Sequence, residues 1–90
     1  MAFKAGDFIG VSCEVEPGPF DDERLITVQT VEGPISGFVK VTELRETDSR
    51  WEVRGKIQEV NDATIKVRIY GSFFTTNGIA SISRHLAMAA

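Results

Sequence analysis

Four basic side chains, Arg54, Lys56, Lys66 and Arg68, recur at alternate positions within the stretch Arg50 to Gly71, RWEVRGKIQEVNDATIKVRIYG. Successive side chains of a β-strand point to opposite faces, so this spacing gathers the four cations on one side of a pair of strands. Tyr70 and Phe74 continue on the same parity. Clustered cations beside aromatic rings suit an anionic ligand: the carboxylates of a protein, or phosphates whose bases stack on the rings.

The apolar residues of the same stretch restrict how the two strands meet. A two-residue turn at Asn61-Asp62 would set Ile57 against Lys66 and defeat the pattern, so the connection must hold an odd number of residues or a bulge. A three-residue connection at Val60 to Asp62 pairs Ile57 with Ile65, Gly55 with Val67 and Val53 with Ile69. It also sets Lys56 opposite Lys66 and Arg54 opposite Arg68. Directly opposed like charges are unfavourable by some tenths of a kcal/mol. A relieving anion is therefore expected, either Glu52, the protein's own acidic loop, a second subunit or a phosphate backbone. Solvation alone is the plainer account, since charged residues on a sheet also guard it against edge-to-edge pairing.

Other chemistry is sparsely represented. The one histidine, His85, falls in the C-terminal tail and the one cysteine, Cys13, in a strand expected to be buried, so neither a Cys-His pair nor a His-rich metal site is expected within the chain. Cys13 falls on the apolar parity of its segment and is expected to be a buried structural thiol. The acidic residues Glu14, Glu16, Asp21, Asp22 and Glu23 surround a turn, but their spacing does not match a calcium loop. No glycine-rich phosphate loop is present. These absences lead to the expectation of a non-enzymatic protein without a metal or other cofactor.

Ninety residues of ordinary globular composition support one domain, spanning residues 1–90. The net charge of -3 is unevenly divided: residues 1–49 carry four basic and ten acidic side chains, residues 50–90 six and three. An acidic half thus precedes a basic half. No apolar run approaches membrane-spanning length and MAFKAGDF is not an apolar leader, from which a cytoplasmic protein without membrane contact is expected.

The elements that must position these residues read as strands throughout. Asp7 to Glu16 alternates Ile9, Val11, Cys13 and Val15 with polar residues and stops at Pro17-Gly18-Pro19. Arg24 to Val31 and Ile35 to Val41 follow, separated by Glu32-Gly33-Pro34, with Phe38 opposite in parity to its strand's apolar face. Thr42 to Ser49 is expected to be a strand ending in a turn at Asp48-Ser49, with a short helix as the alternative. Asn77-Gly78 is the strongest turn signal; a two-residue turn there pairs Phe73 with Ile82 and Thr75 with Ala80. Ile79 to Ser83 is the sixth strand, and Arg84 to Ala90 contains good helix formers.

The expected fold is all-β: one small antiparallel barrel of five or six strands in meander order, SH3-like, with a short C-terminal helical turn. An OB-like barrel using Thr42 to Ser49 as its helix is the alternative. The expected function is a non-catalytic binding or assembly module that self-associates or docks a protein partner through the outer face of the 50–71 hairpin. The contact residues would be Arg54, Lys56, Lys66, Arg68, Tyr70 and Phe74. The alternative is a weak single-stranded nucleic-acid binder using the same face. Phe38, Tyr70 and Phe74, lying off the main apolar stripe, add a reason to expect a homo-oligomer.

Overall fold

The computed structural model describes residues 3–48 and 50–89; Ser49, the end of the expected turn, and Ala90, the end of the segment expected to hold a short C-terminal helical turn, lie outside them. Within this range the chain is all-β. Its nine strands are β1 (Phe8–Pro17), β2 (Glu23–Thr30), β3 (Gly33–Lys40), β4 (Leu44–Thr47), β5 (Arg50–Val60), β6 (Thr64–Ile69), β7 (Ser72–Phe73), β8 (Ile79–Ser83) and β9 (Ala87–Ala89). The helical content of the described residues is two 3-10 turns, Val41–Glu43 and Arg84–Leu86.

Seven strands follow one another in the order β7-β3-β2-β1-β5-β6-β8, with β4 added to β5 and β9 to β1. Every pairing is antiparallel. The sheet curls strongly into a half-barrel, bringing the end of β2 to β8, where Val31 N donates to Ser81 O at 2.9 Å.

This is larger than the expected SH3-like barrel of five or six strands, and the order is not a meander. The cause is β1. Its first half, Phe8 to Cys13, pairs with β5, whereas Glu14 to Pro17 pairs with β2. A strand expected at the start of a meander therefore lies between two others. The helix an OB-like barrel would take from Thr42 to Ser49 is also not formed. The segment makes a 3-10 turn and then β4, which pairs Leu44 with Val53 and Thr47 with Arg50.

The interior is built from the parity read in the sequence. Val53, Ile57, Ile65, Val67 and Ile69 are buried together with Ile9, Val11, Ile26, Val28, Val39, Ile82 and Ala87. Almost all are β-branched, the shape that packs best on a pleated surface. Trp51 and Cys13, directly opposite each other across β1 and β5, are only half-buried at the margin.

Two local expectations need correction. Gly78 does take positive φ, and Asn77 Oδ1 accepts a hydrogen bond from Ile79 N at 3.2 Å. The strands beside this turn do not pair with each other, however: β7 sets Phe73 against Gly37 of β3, and β8 sets Ile82 against Ile65 of β6. Each finds a longer open edge than the other could offer. At the C-terminus the helical turn stops at Leu86, and β9 runs along β1 with Ala87 opposite Val11. Three residues satisfied by a waiting sheet edge prevail over a helix too short to sustain itself.

Candidate partner-binding face

The 50–71 hairpin keeps one coherent apolar side, but by a bulge. Val60 pairs with Ile65 and Glu59 with Lys66; the register then shifts past Gln58, so that Ile57 pairs with Val67 and Gly55 with Ile69. The extra residue restores the parity that the connection by itself would break. The charge pattern differs accordingly from the expected one. Lys66 faces Glu59 instead of Lys56, and Lys56 faces Arg68.

One like-charged pair therefore survives. Among the described residues, Lys56, Lys66 and Arg68 form no ion pair with a carboxylate. The protein's acidic loop does not reach them, since Asp22 and Glu23 are engaged with Lys40 at 3.1 and 3.4 Å. The hydrogen bond between them holds the Asp22 carboxyl below, and the Lys40 ammonium above, their usual pKa values. Glu52 does not relieve the pair either. It is 5% exposed and bound to Arg45 Nη2 at 2.6 Å and Thr47 Oγ1 at 3.3 Å.

Arg54 has a different environment. Its guanidinium lies over the Phe8 ring at 4.3 Å and over the Tyr70 ring at 5.8 Å, and its Nη1 is 3.9 Å from Glu43 Oε2. Lys56 Nζ lies 5.6 Å from the same Phe8 ring. Phe8 was not among the expected contact residues, although its parity in β1 opposes Ile9 and Val11. Only the pairing of Phe8 with Lys56 across β1 and β5 carries it to the basic face.

The outer face thus brings together Phe8, Arg54, Lys56, Arg68 and Tyr70, with Lys66 farther toward the hairpin turn. Phe74, the residue after β7, stands apart against β3, where its N donates to Ser36 O at 3.0 Å and its ring meets that of Phe38 edge-on, with centroids 5.4 Å apart. Phe38 and Tyr70 in turn line one cleft of about 250 Å³ with Glu23, Lys40, Glu43, Gly71 and Ser72. A second cleft of about 190 Å³ lies between the first 3-10 turn, β4, β1 and β5, and Glu43 lines both.

The buried Glu52, and Glu43 with its one buried carboxylate oxygen, are the site's acidic features, and sequence reading missed them for the same reason. Their partners arrive only when β4 and its preceding turn fold over β5. Glu43 Oε2 is buried and takes no hydrogen bond from the described residues. Cys13 lies close enough to this region for the Glu52 charge to act on it; burial first, and that charge second, push its thiol up to about 12. Such a thiol is a poor nucleophile. No group of three His, Cys, Asp or Glu side chains that could hold a metal occurs among the described residues. Compared with known proteins, the chain matches no family model, no curated protein and no solved structure.

Proposed function

We propose that this chain is a non-catalytic binding module that docks an acidic protein surface, a second copy of itself included, through the outer face of the 50–71 hairpin. The observation that carries this reading is the Lys56–Arg68 pair. Two cations oppose each other directly with no carboxylate of the described residues within ion-pair distance, beside Phe8, Arg54 and Tyr70. An incoming carboxylate removes the repulsion, and the aromatic rings supply apolar area around it. The acidic first half of the chain gives a second copy the complementary charge.

Sedimentation velocity at high micromolar concentration tests self-association, and titration of a fluorescein-labelled polyglutamate peptide tests acid docking. Association or peptide binding that Lys56→Glu with Arg68→Glu abolishes supports the proposal. A monomer that ignores the peptide at low salt refutes it.

A second reading is single-stranded nucleic acid, favoured by the two rings that flank Arg54 as stacking surfaces. Against it stands a net charge of -3, which leaves only a small basic footprint. Titration with labelled oligo(dT) and oligo(U) distinguishes it: binding to these but not to polyglutamate would favour nucleic acid.

A further inference from the structure

We propose that the cleft between the first 3-10 turn, β4, β1 and β5 seats one apolar side chain of leucine size from the docking partner, so that the partner's binding segment is an apolar residue flanked by carboxylates. The inference rests on the acid-docking reading above and narrows its ligand. The cleft measures about 190 Å³. A small-molecule site takes roughly 300–1,000 Å³ and a single water about 30 Å³, so this cleft suits one side chain and little more.

Core residues Ile9 and Val53 back the cleft, and the partly exposed Phe8 and Leu44 offer it apolar surface. Arg45 and Arg54 line it as well, with 50% and 52% of their side chains exposed. Arginine stems are apolar and their heads cationic, so the same two residues extend the apolar wall and surround it with positive charge. The carboxylates in the lining do not reverse that charge. Glu52 is bound to Arg45 and Thr47, and Glu43 has one oxygen closed to solvent, 3.9 Å from Arg54 Nη1.

Continuity with the basic face selects the occupant. Phe8 and Arg54 belong to both: the Arg54 guanidinium lies over the Phe8 ring at 4.3 Å, and Phe8 pairs with Lys56, which itself faces Arg68. Arg54 and Lys56 are next-but-one neighbours on β5, about 7 Å apart along the strand. One extended segment can therefore meet the Lys56–Arg68 pair with a carboxylate and still reach the cleft with an adjacent side chain. Exposed ion pairs contribute little by themselves, so the apolar anchor is what gives such a segment its affinity.

The test is an NMR titration of the full isotope-labelled chain at low salt with acetyl-Glu-Glu-Leu-Glu-Glu-amide, against the same peptide carrying alanine in place of leucine. The leucine peptide is expected to bind about tenfold more tightly, to shift the amide resonances of Phe8, Thr42 and Leu44, and to show NOEs from its methyl groups to Phe8 and Leu44. Thr42 lines the cleft and is exposed, so Thr42→Trp should fill the space and erase the leucine advantage; the spectrum reports whether the variant is folded. Equal affinity for the two peptides, methyl NOEs to other residues, or a leucine advantage that persists in folded Thr42→Trp would overturn this inference and leave acid docking standing. Binding of neither peptide would overturn both.

Discussion

Gly10→Ala isolates the buried carboxylate of Glu52. A Cβ at Gly10 would collide with Glu52 Oε1 and lie 3.1 Å from its Cβ and Cδ. The carboxylate would have to leave the position in which it accepts from Arg45 Nη2 at 2.6 Å and Thr47 Oγ1 at 3.3 Å. A hydrogen bond to a charged group is worth roughly 1.5–3 kcal/mol, and displacement leaves a nearly buried charge poorly solvated. Alanine itself acts in the opposite sense by about 0.4–1 kcal/mol, because it restricts the unfolded chain where the native backbone accepts it. The expected net loss is about 2 kcal/mol, or roughly 8–16 °C in Tm for a domain of this size. In a Glu52→Ala background the colliding oxygen is gone and only the 3.1 Å contact with the Glu52 Cβ position remains, so the same substitution should be near neutral. Equilibrium urea unfolding followed by Trp51 fluorescence on the four proteins gives the coupling directly. A Gly10→Ala loss that is the same in both backgrounds, within about 0.5 kcal/mol, would refute the reasoning.

Cys13 should resist labelling by a disulfide reagent at pH 8 in the native protein and react at once in denaturant. Its folded pKa, about 12, exceeds the ordinary 9.0, so its contribution to stability is complete below pH 9 and is lost as pH rises from 9 toward 12; alkaline unfolding curves of Cys13→Ala should lack that part of the slope. Gly37→Ala places a Cβ within 2.7 Å of Phe73 Cα, a backbone atom that cannot turn aside; β7 should detach from β3, seen as faster chymotryptic cleavage at Phe73 and Phe74. Arg68→Gln removes the repulsion with Lys56 and should raise stability by about 0.2–1 kcal/mol, more at low salt; unchanged or lowered stability in a urea titration would show that the pair is already relieved.

How much of this was legible in the residues depended on whether the determining contact was local. The alternation of Val53 to Ile57 and of Ile65 to Ile69 fixed the buried face, and the parity conflict across Asn61-Asp62 demanded an odd connection or a bulge. Which remedy the chain used was not written there: a bulge at Gln58 and a three-residue loop both restore parity, yet they shift the register by two and change which cations meet. Glu52 alternates with Val53 like a solvent-facing residue, and only the arrival of β4 from the preceding segment buries it. Phe8 reaches the basic face through a pairing with Lys56 that no nearby sequence signal announces.

The division of β1 between two neighbours also has a consequence in time. Glu14 to Pro17 meet β2 within a short hairpin, whereas the partners from Cys13–Trp51 to Phe8–Lys56 lie 38 to 48 residues apart. Closing such long loops before their contacts contribute slows folding, so this small domain belongs with β proteins that fold in milliseconds to seconds. During synthesis the first half of β1 emerges long before β5 and β9 exist to cover it. Its apolar residues Ile9 and Val11 then wait, with an open edge, for the second half of the chain.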